Sequence, residues 1–362
     1  MKAGLPPRGA AGMTLVELMV GMAVGLFVAT VAIATFVSTR TLNLVNSSTT
    51  RMSENGRLAM DLLHTDLRNS GFAGCRPLAL RKDDPPVSVL SGSIDDGFIT
   101  EGSSGLLGYK GTGSGFSPVL TTTLAQLGTS AIPGSTTPLP NSDIVSVRVP
   151  ADTVALGVIG AMSSTTAAPQ LRAATADNPI RLGDIVLIAN CKAAAIFQVT
   201  EADPVATGVL AHAVGDGSPR TNASTDLRHA YRSDATVYRL QTRHYYVAPS
   251  AVRPGSNSLW RLEVAGGLNA VEVANGIDRL DISYGVDTTV PPQNVNRYLD
   301  ASAVTAWDRV LSARLQMVVT TPDDNMARAN QTYQFAGSAV TATDRRLHTA
   351  LTEVVTLRNG AP

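Results

Sequence analysis

Charge is scarce in this chain. Asp, Glu, Lys and Arg make up 16% of its 362 residues and cancel to a net charge of zero, against about 25% charged residues in ordinary soluble proteins. No basic stripe interleaved with aromatics occurs, so the electrostatic footprint of a nucleic-acid-binding surface is missing. Cysteine is rarer still, with only Cys75 and Cys191. There is no CxxC and no Cys/His cluster to suggest zinc, and His64, His212, His229, His244 and His348 share no metal-ligand spacing. A GxSxG elbow and an HExxH helix are both lacking. Asp95-Asp96 and Asp323-Asp324 lack the alternating oxygen ligands of a calcium loop and read as solvated turns. His244, in an alternating stretch, reads as a packed or surface histidine. Nothing here calls for an enzyme, a cofactor or a metal. Proline is also absent between Pro7 and Pro77, which leaves that interval free to form one unbroken helix.

What is present lies at the start. A short leader carrying Lys2 and Arg8 ends in Ala10-Ala11-Gly12, and an apolar run follows at once from Met13 to Val37. Only Thr14, Glu17, Thr30 and Thr35 interrupt it, and a bilayer core needs roughly 20 apolar residues. A secretory signal has its small-residue cleavage site after the apolar segment. Here the small residues come first, so cutting there leaves the hydrophobic helix on the mature chain. The leader's charges lie closest to the span, which favours a cytoplasmic leader and an extracytoplasmic remainder. In an oxidising compartment Cys75 and Cys191 form one bridge across more than a hundred residues, a closure of about 2–4 kcal/mol. The alternative is two buried, reduced thiols.

Helical spacing continues beyond a polar patch at 46–50. Met52, Ala59, Leu62, Leu63 and Leu67 form an apolar stripe, and Glu54, Arg57, Asp61, Asp66 and Arg68 are assigned to the opposite faces. Gly71 is the expected stop. The period then changes to two, and residues 142–149, 184–189, 195–200, 236–247, 258–264, 277–286 and 309–320 read as strands. The Pro/Gly/Ser-rich stretch 249–257 predicts a hairpin. Gly102, Gly105, Gly108 and Gly111 recur every third residue without a phosphate-loop ending, and read as a flexible surface loop. The expected class is α+β: a long N-terminal helix packed on an antiparallel β-rich domain. Its parts are a leader (1–12), a membrane or assembly half of the helix (13–38), an amphipathic half (39–70) and an extracytoplasmic domain (71–362).

The chemistry then concentrates on Glu17, because a carboxylate in an apolar helix marks a functional site by default. Its bland reading is a side chain that reaches the headgroups. In the sharper one, cleavage after Gly12 creates an α-amine on Met13 that pairs, in a dry bundle, with Glu17 of a neighbouring chain. Gly21 and Gly25 follow at four-residue steps, a GxxxG spacing that permits close helix approach.

Gly12-Met13-Thr14-Leu15-Val16-Glu17-Leu18 resembles the type IV prepilin processing signature, at which a membrane peptidase cuts after the glycine and methylates the new amino terminus. Ser53-Glu54-Asn55-Gly56-Arg57, Asp66-Leu67-Arg68 and Gly71-Phe72-Ala73-Gly74-Cys75 resemble PilW-type minor pilins. So do Asn275-Gly276-Ile277, Tyr284-Gly285-Val286-Asp287, Trp307-Asp308-Arg309-Val310 and Thr356-Leu357-Arg358-Asn359. The resemblance implies a low-abundance subunit that initiates or caps a pilus. Its implied partners are prepilin peptidase, other minor pilins, the major pilin, the inner-membrane assembly machinery and a tip adhesin, with membrane lipid around the helix before assembly. The stretch after Asp287 lacks repeated aspartates, so no calcium site carries over. A type II secretion minor pseudopilin shares the amino-terminal chemistry, and a membrane-tethered enzyme or binding protein is the alternative of another class.

Overall fold

A computed structural model describes residues 13–75, 86–91, 105–151, 154–172, 178–215, 221–264, 267–289 and 294–358. The leader with Gly12, and also Asp95, Asp96 and Gly102, lie outside the described residues. The chain divides into two compact units, residues 1–50 and 51–362.

Helix α1 runs over Leu15–Asn69. It ends as the glycine requires: Ser70 N–H turns back to Leu67 O at 3.1 Å, and Gly71 takes φ of 67°, a conformation that costs other residues a Cβ clash. Strands of four or more residues are β1 (Leu106–Gly111), β2 (Ile144–Pro150), β3 (Ile185–Ala189), β4 (Ala194–Gln198), β5 (Thr236–Pro249), β6 (Asn257–Val264) and β7 (Leu268–Asn275). They continue with β8 (Ile277–Val286), β9 (Arg297–Asp300), β10 (Val310–Thr320), β11 (Thr332–Phe335), β12 (Ser338–Thr341) and β13 (His348–Thr356).

In place of the single antiparallel sheet expected behind the helix, the described residues form two main sheets and two two-stranded ribbons, β11 with β12 and residues 90–91 with 221–222. The larger is ordered β4-β3-β5-β2-β1 through its centre, with β6 paired to β5 and β7 to β6. It is antiparallel except where the two-residue strand Val87–Ser88 runs parallel to β4. The smaller is ordered β9-β8-β10-β13 and antiparallel throughout. Strands β5 and β6 form the predicted hairpin, closing from Pro249 to Asn257. Glu272 holds its loop by accepting from Ser250 Oγ at 2.6 Å and Ala251 N–H at 2.9 Å.

Both sheets cover the apolar stripe of α1. Met52, Ala59, Met60, Leu63 and Leu67 share one core with Val145 and Val147 of β2, Tyr245 of β5, Ile282 and Tyr284 of β8, and Leu315 and Met317 of β10. Leu63 and Leu67 are fully buried, each contributing roughly 1.5–3 kcal/mol. Gly56 sets the approach: a Cβ there would lie 2.9 Å from Leu351 Cδ1 and 3.0 Å from Val319 Cγ2. The sheets are stitched by Ser142 and Asp143, which use the part of β8 that β9 leaves open. Asp143 N–H donates to Leu280 O at 2.8 Å, and Leu280 N–H donates to Ser142 Oγ at 3.0 Å. The Asp143 carboxylate accepts from Ile282 N–H at 2.8 Å and Gly111 N–H at 2.9 Å.

Two expectations are corrected. The glycine repeat is not a surface loop. Gly108 and Gly111 belong to β1, which pairs with β2, and the missing side chains are what let other backbone and side chains pass. A Cβ on Gly105 would meet Gly71 N at 1.9 Å, on Gly108 Tyr284 Oη at 2.2 Å, and on Gly111 Ser142 O at 2.7 Å. Asp66 is not on a polar face either. It is 5% exposed and accepts from Arg243 Nη1 at 2.8 Å and Tyr245 Oη at 2.6 Å.

Cys75 and Cys191 are disulfide-bonded, with Cα atoms 4.9 Å apart and a separation of 116 positions in sequence. The bond ties the exit from α1 to the turn between β3 and β4. In the chain-entropy account such a loop contributes about 4–5 kcal/mol. Reduction, or Cys75→Ser with Cys191→Ser, is therefore expected to lower the melting temperature by on the order of 10 °C. An unchanged melt would show that the bridge constrains nothing.

Candidate functional site

The start of α1 is built by three residues. Leu15 is the first helical residue, which makes Thr14 the N-cap and Glu17 the third position inside. Glu17 N–H donates to Thr14 Oγ1 at 3.3 Å. Thr14 returns two bonds to Glu17 Oε2, from its backbone N–H and from its hydroxyl, each at 3.1 Å. This is a capping box, in which two otherwise orphaned N–H groups are satisfied reciprocally. In the chain by itself the carboxylate thus faces its own helix start, one turn from Met13. The Thr-x-x-Glu spacing carried this information, and Thr14 is the site residue that a reading centred on charge passes over.

Beyond the box the helix presents apolar surface all round. Leu15, Leu26, Phe27 and Phe36 are each 67–73% exposed. A window of 18 residues reaches a mean hydropathy of 2.3 with none of it buried. The helix is long and apolar enough to cross a membrane, and it is the one such helix among the described residues. Its hydroxyls are used internally: Thr30 donates to Leu26 O at 2.7 Å, Thr35 to Ala32 O at 2.9 Å, Thr39 to Thr35 O at 2.9 Å and Thr41 to Val37 O at 2.9 Å. An intramembrane helix needs its polar groups satisfied in this way. Added Cβ atoms at Gly21 and Gly25 would meet nothing within 4 Å. The two glycines make a shallow notch on an open face, four residues apart.

The remaining polar clusters hold the globular unit together. Lys110 Nζ lies 2.6 Å from Asp281 Oδ2 and 3.3 Å from Asp143 Oδ2. Burial pushes the Asp143 carboxyl up to about 6 against the pull of Lys110 and of the Ile282 and Gly111 N–H groups. Burial works to lower the Lys110 ammonium, but Asp143, Asp281 and Asp300 outweigh it and leave it raised. Ser146 Oγ and His244 Nδ1 are 2.6 Å apart, and both side chains are buried between β2 and β5 at 0% and 1% exposure. That pair has no approach for a substrate. Among the described residues no three His, Cys, Asp or Glu side chains converge to hold a metal.

Neither a curated protein nor a solved structure gives a match to the chain. Two family models do. Residues 7–33 match the prokaryotic N-terminal methylation motif, which spans the capping box and both notch glycines. Residues 244–359 match the type IV pilus-assembly protein W, from the middle of β5 through the smaller sheet. Both describe pilin-type structural proteins and neither an enzyme family. With the methylation motif on the uncovered helix and the second match on the sheets that cover its continuation, the chain is similar to PilW-type type IV pilins over these two stretches.

Proposed function

We propose that the chain is a minor pilin acting in type IV pilus assembly or initiation. The observation that carries this is the first half of α1: apolar on every face, self-satisfied in its threonine hydroxyls, and bearing one carboxylate, Glu17, between Met13 and Val37. Prepilin peptidase hydrolyses the Gly12–Met13 peptide bond, and the amine released on Met13 is methylated. The helix (13–38) spans the inner membrane until assembly, with residues 71–362 in the periplasm and 39–70 joining the two. In the fibre or its priming complex, Glu17 pairs with the Met13 amine of an adjacent subunit, and Gly21 and Gly25 admit that neighbour's helix. Other minor pilins, the major pilin, the inner-membrane machinery and a tip adhesin are the partners this assigns.

Processing is tested at the glycine. Gly12→Glu is expected to leave the protein at full length by mass spectrometry, while the parent begins at Met13. A mature start at any other residue refutes the site. Deleting the chain is expected to remove surface pili, and restoring only the Gly12→Glu form is expected not to bring them back.

A further inference from the structure

The smaller sheet ends on a strand edge that the fold leaves open. Strand β13 is bonded to β10 through its odd-numbered residues: Thr321 N–H donates to Leu347 O at 3.0 Å and Leu357 N–H to Leu311 O at 2.9 Å, and the alternation of an antiparallel ladder fixes those between. The N–H and C=O groups of Ala350, Thr352, Val354 and Thr356 therefore point away from the sheet. None of these groups has a partner among the described residues. The opening is bounded at both ends. At one, the Gln331 side-chain amide donates to His348 O at 2.9 Å and accepts from His348 N–H at 2.8 Å, the two bonds a neighbouring strand's peptide would make. At the other, Arg358 N–H donates to Arg68 O at 3.2 Å.

This edge has few of the usual protections. It carries no proline, lysine or bulge between Ala350 and Thr356, and Val354 is 51% exposed; its one charge is Glu353, whose Oε1 lies 2.5 Å from His64 Nδ1. The opposite edge, β9, is short and carries Arg297 and Asp300. Natural sheets blunt their edges in the manner of β9 and keep long unguarded ones for pairing. Beside the open edge, on its helix side, lies a groove of about 460 Å³. Met52, Met60 and Leu351 line its floor, and Arg57, Asp61 and Glu353 its rim. A strand added to β13 would place alternate side chains over that floor. The sheet stops one strand short of covering the helix.

We infer that this edge receives an extended segment of about seven residues from a different pilin subunit, by strand addition. The segment carries an apolar side chain opposite Leu351 and a neutral or basic one opposite Glu353. Charge selects a different subunit over a second copy. The self-pairing register that uses all four open residues sets Thr352 against Val354 and hence Glu353 against Glu353, and like charges directly opposite destabilise a ladder. The inference rests on the assembly reading above, whose proposed partners it narrows to a strand-donating pilin.

The test uses the full-length chain in detergent, co-expressed with each minor pilin and with the major pilin in turn. In the complex, amide exchange at Ala350, Thr352, Val354 and Thr356 is expected to slow at least about tenfold relative to the chain alone, as newly bonded strand N–H groups do. Thr352→Pro removes an N–H that the fold does not use, as edge strands tolerate. It is expected to keep the parent melting temperature while the recovered pilin falls about tenfold, the loss expected from about 1.4 kcal/mol of binding. Recovery that Thr352→Pro leaves unchanged, or a complex without edge protection, overturns the inference alone. So does a dimer of this chain that the same substitution dissolves. Failure of every pilin to co-purify takes down the assembly reading and this inference together.

Discussion

Glu17→Ala is expected to yield a chain that is cleaved after Gly12 and held in the membrane but absent from sheared fibres. The size of the effect separates two roles of the same carboxylate. As a cap, Glu17 contributes about 0.5–2 kcal/mol to the start of a helix. A helix of 55 residues survives that loss with a frayed first turn. As the partner of a neighbour's Met13 amine in a dry bundle, its removal strands a charge at about 3–5 kcal/mol, which is about two to four orders of magnitude in assembly. Glu17→Gln distinguishes them, because glutamine still accepts from Thr14 N–H in a capping box but carries no charge. Fibres of the Glu17→Gln variant at the parent level would reduce Glu17 to a cap, and normal piliation with Glu17→Ala would sink the pairing altogether. The expected order is parent far above Glu17→Gln, with Glu17→Gln close to Glu17→Ala. Immunoblots of the sheared fraction against total membrane read this directly.

Asp66→Ala is expected to be the most damaging single truncation in the globular unit. Asp66 receives the Arg243 guanidinium on one oxygen and the Tyr245 hydroxyl on the other. Burial, reinforced by Asp66, already raises the Tyr245 hydroxyl far above its ordinary value, so it stays a donor throughout the accessible pH range. Removing the acceptor leaves a guanidinium whose side chain is only 17% exposed and a buried hydroxyl with that bond gone. Breaking one member of such a pair costs about 3–5 kcal/mol, and in a unit of this size about 10 °C in melting temperature. Arg243→Met in the Asp66→Ala background is expected to recover part of the loss, since it removes the stranded charge. A melt unchanged by Asp66→Ala would mean that apolar packing alone seats the helix.

The parts of the fold legible in the sequence were those written in local periodicity. The helix stop at Gly71, the strands at 277–286 and 236–247, and the 249–257 hairpin depend on residues within a few positions of each other. What stayed hidden depends on partners far along the chain. The glycine repeat reads as a loop until Tyr284, 176 residues on from Gly108 by number, is seen resting against it. Asp66 reads as a surface charge because its acceptor role is set by Arg243 and Tyr245, 177 and 179 residues away. At the candidate site the balance reverses. Met13, Glu17, Gly21 and Gly25 stand within four turns of one helix, and Thr14 was available from spacing alone. The open edge of β13 had no local signature, because which strand ends a sheet follows from pairing order.

The threonines between Thr30 and Thr41 carry a consequence for the direction of assembly. Each hydroxyl closes on a carbonyl of its own helix. In the assembly reading, a subunit leaving lipid for a fibre neither breaks nor makes a hydrogen bond with its surroundings at these four hydroxyls. The work of moving it is then a difference between two kinds of dispersion contact, lipid tail and protein side chain, and such differences are small per residue. The same step run backward meets no hydrogen-bond barrier at these hydroxyls, so in the assembly reading the Glu17–Met13 pair, and not these threonines, sets how readily a subunit returns to the bilayer.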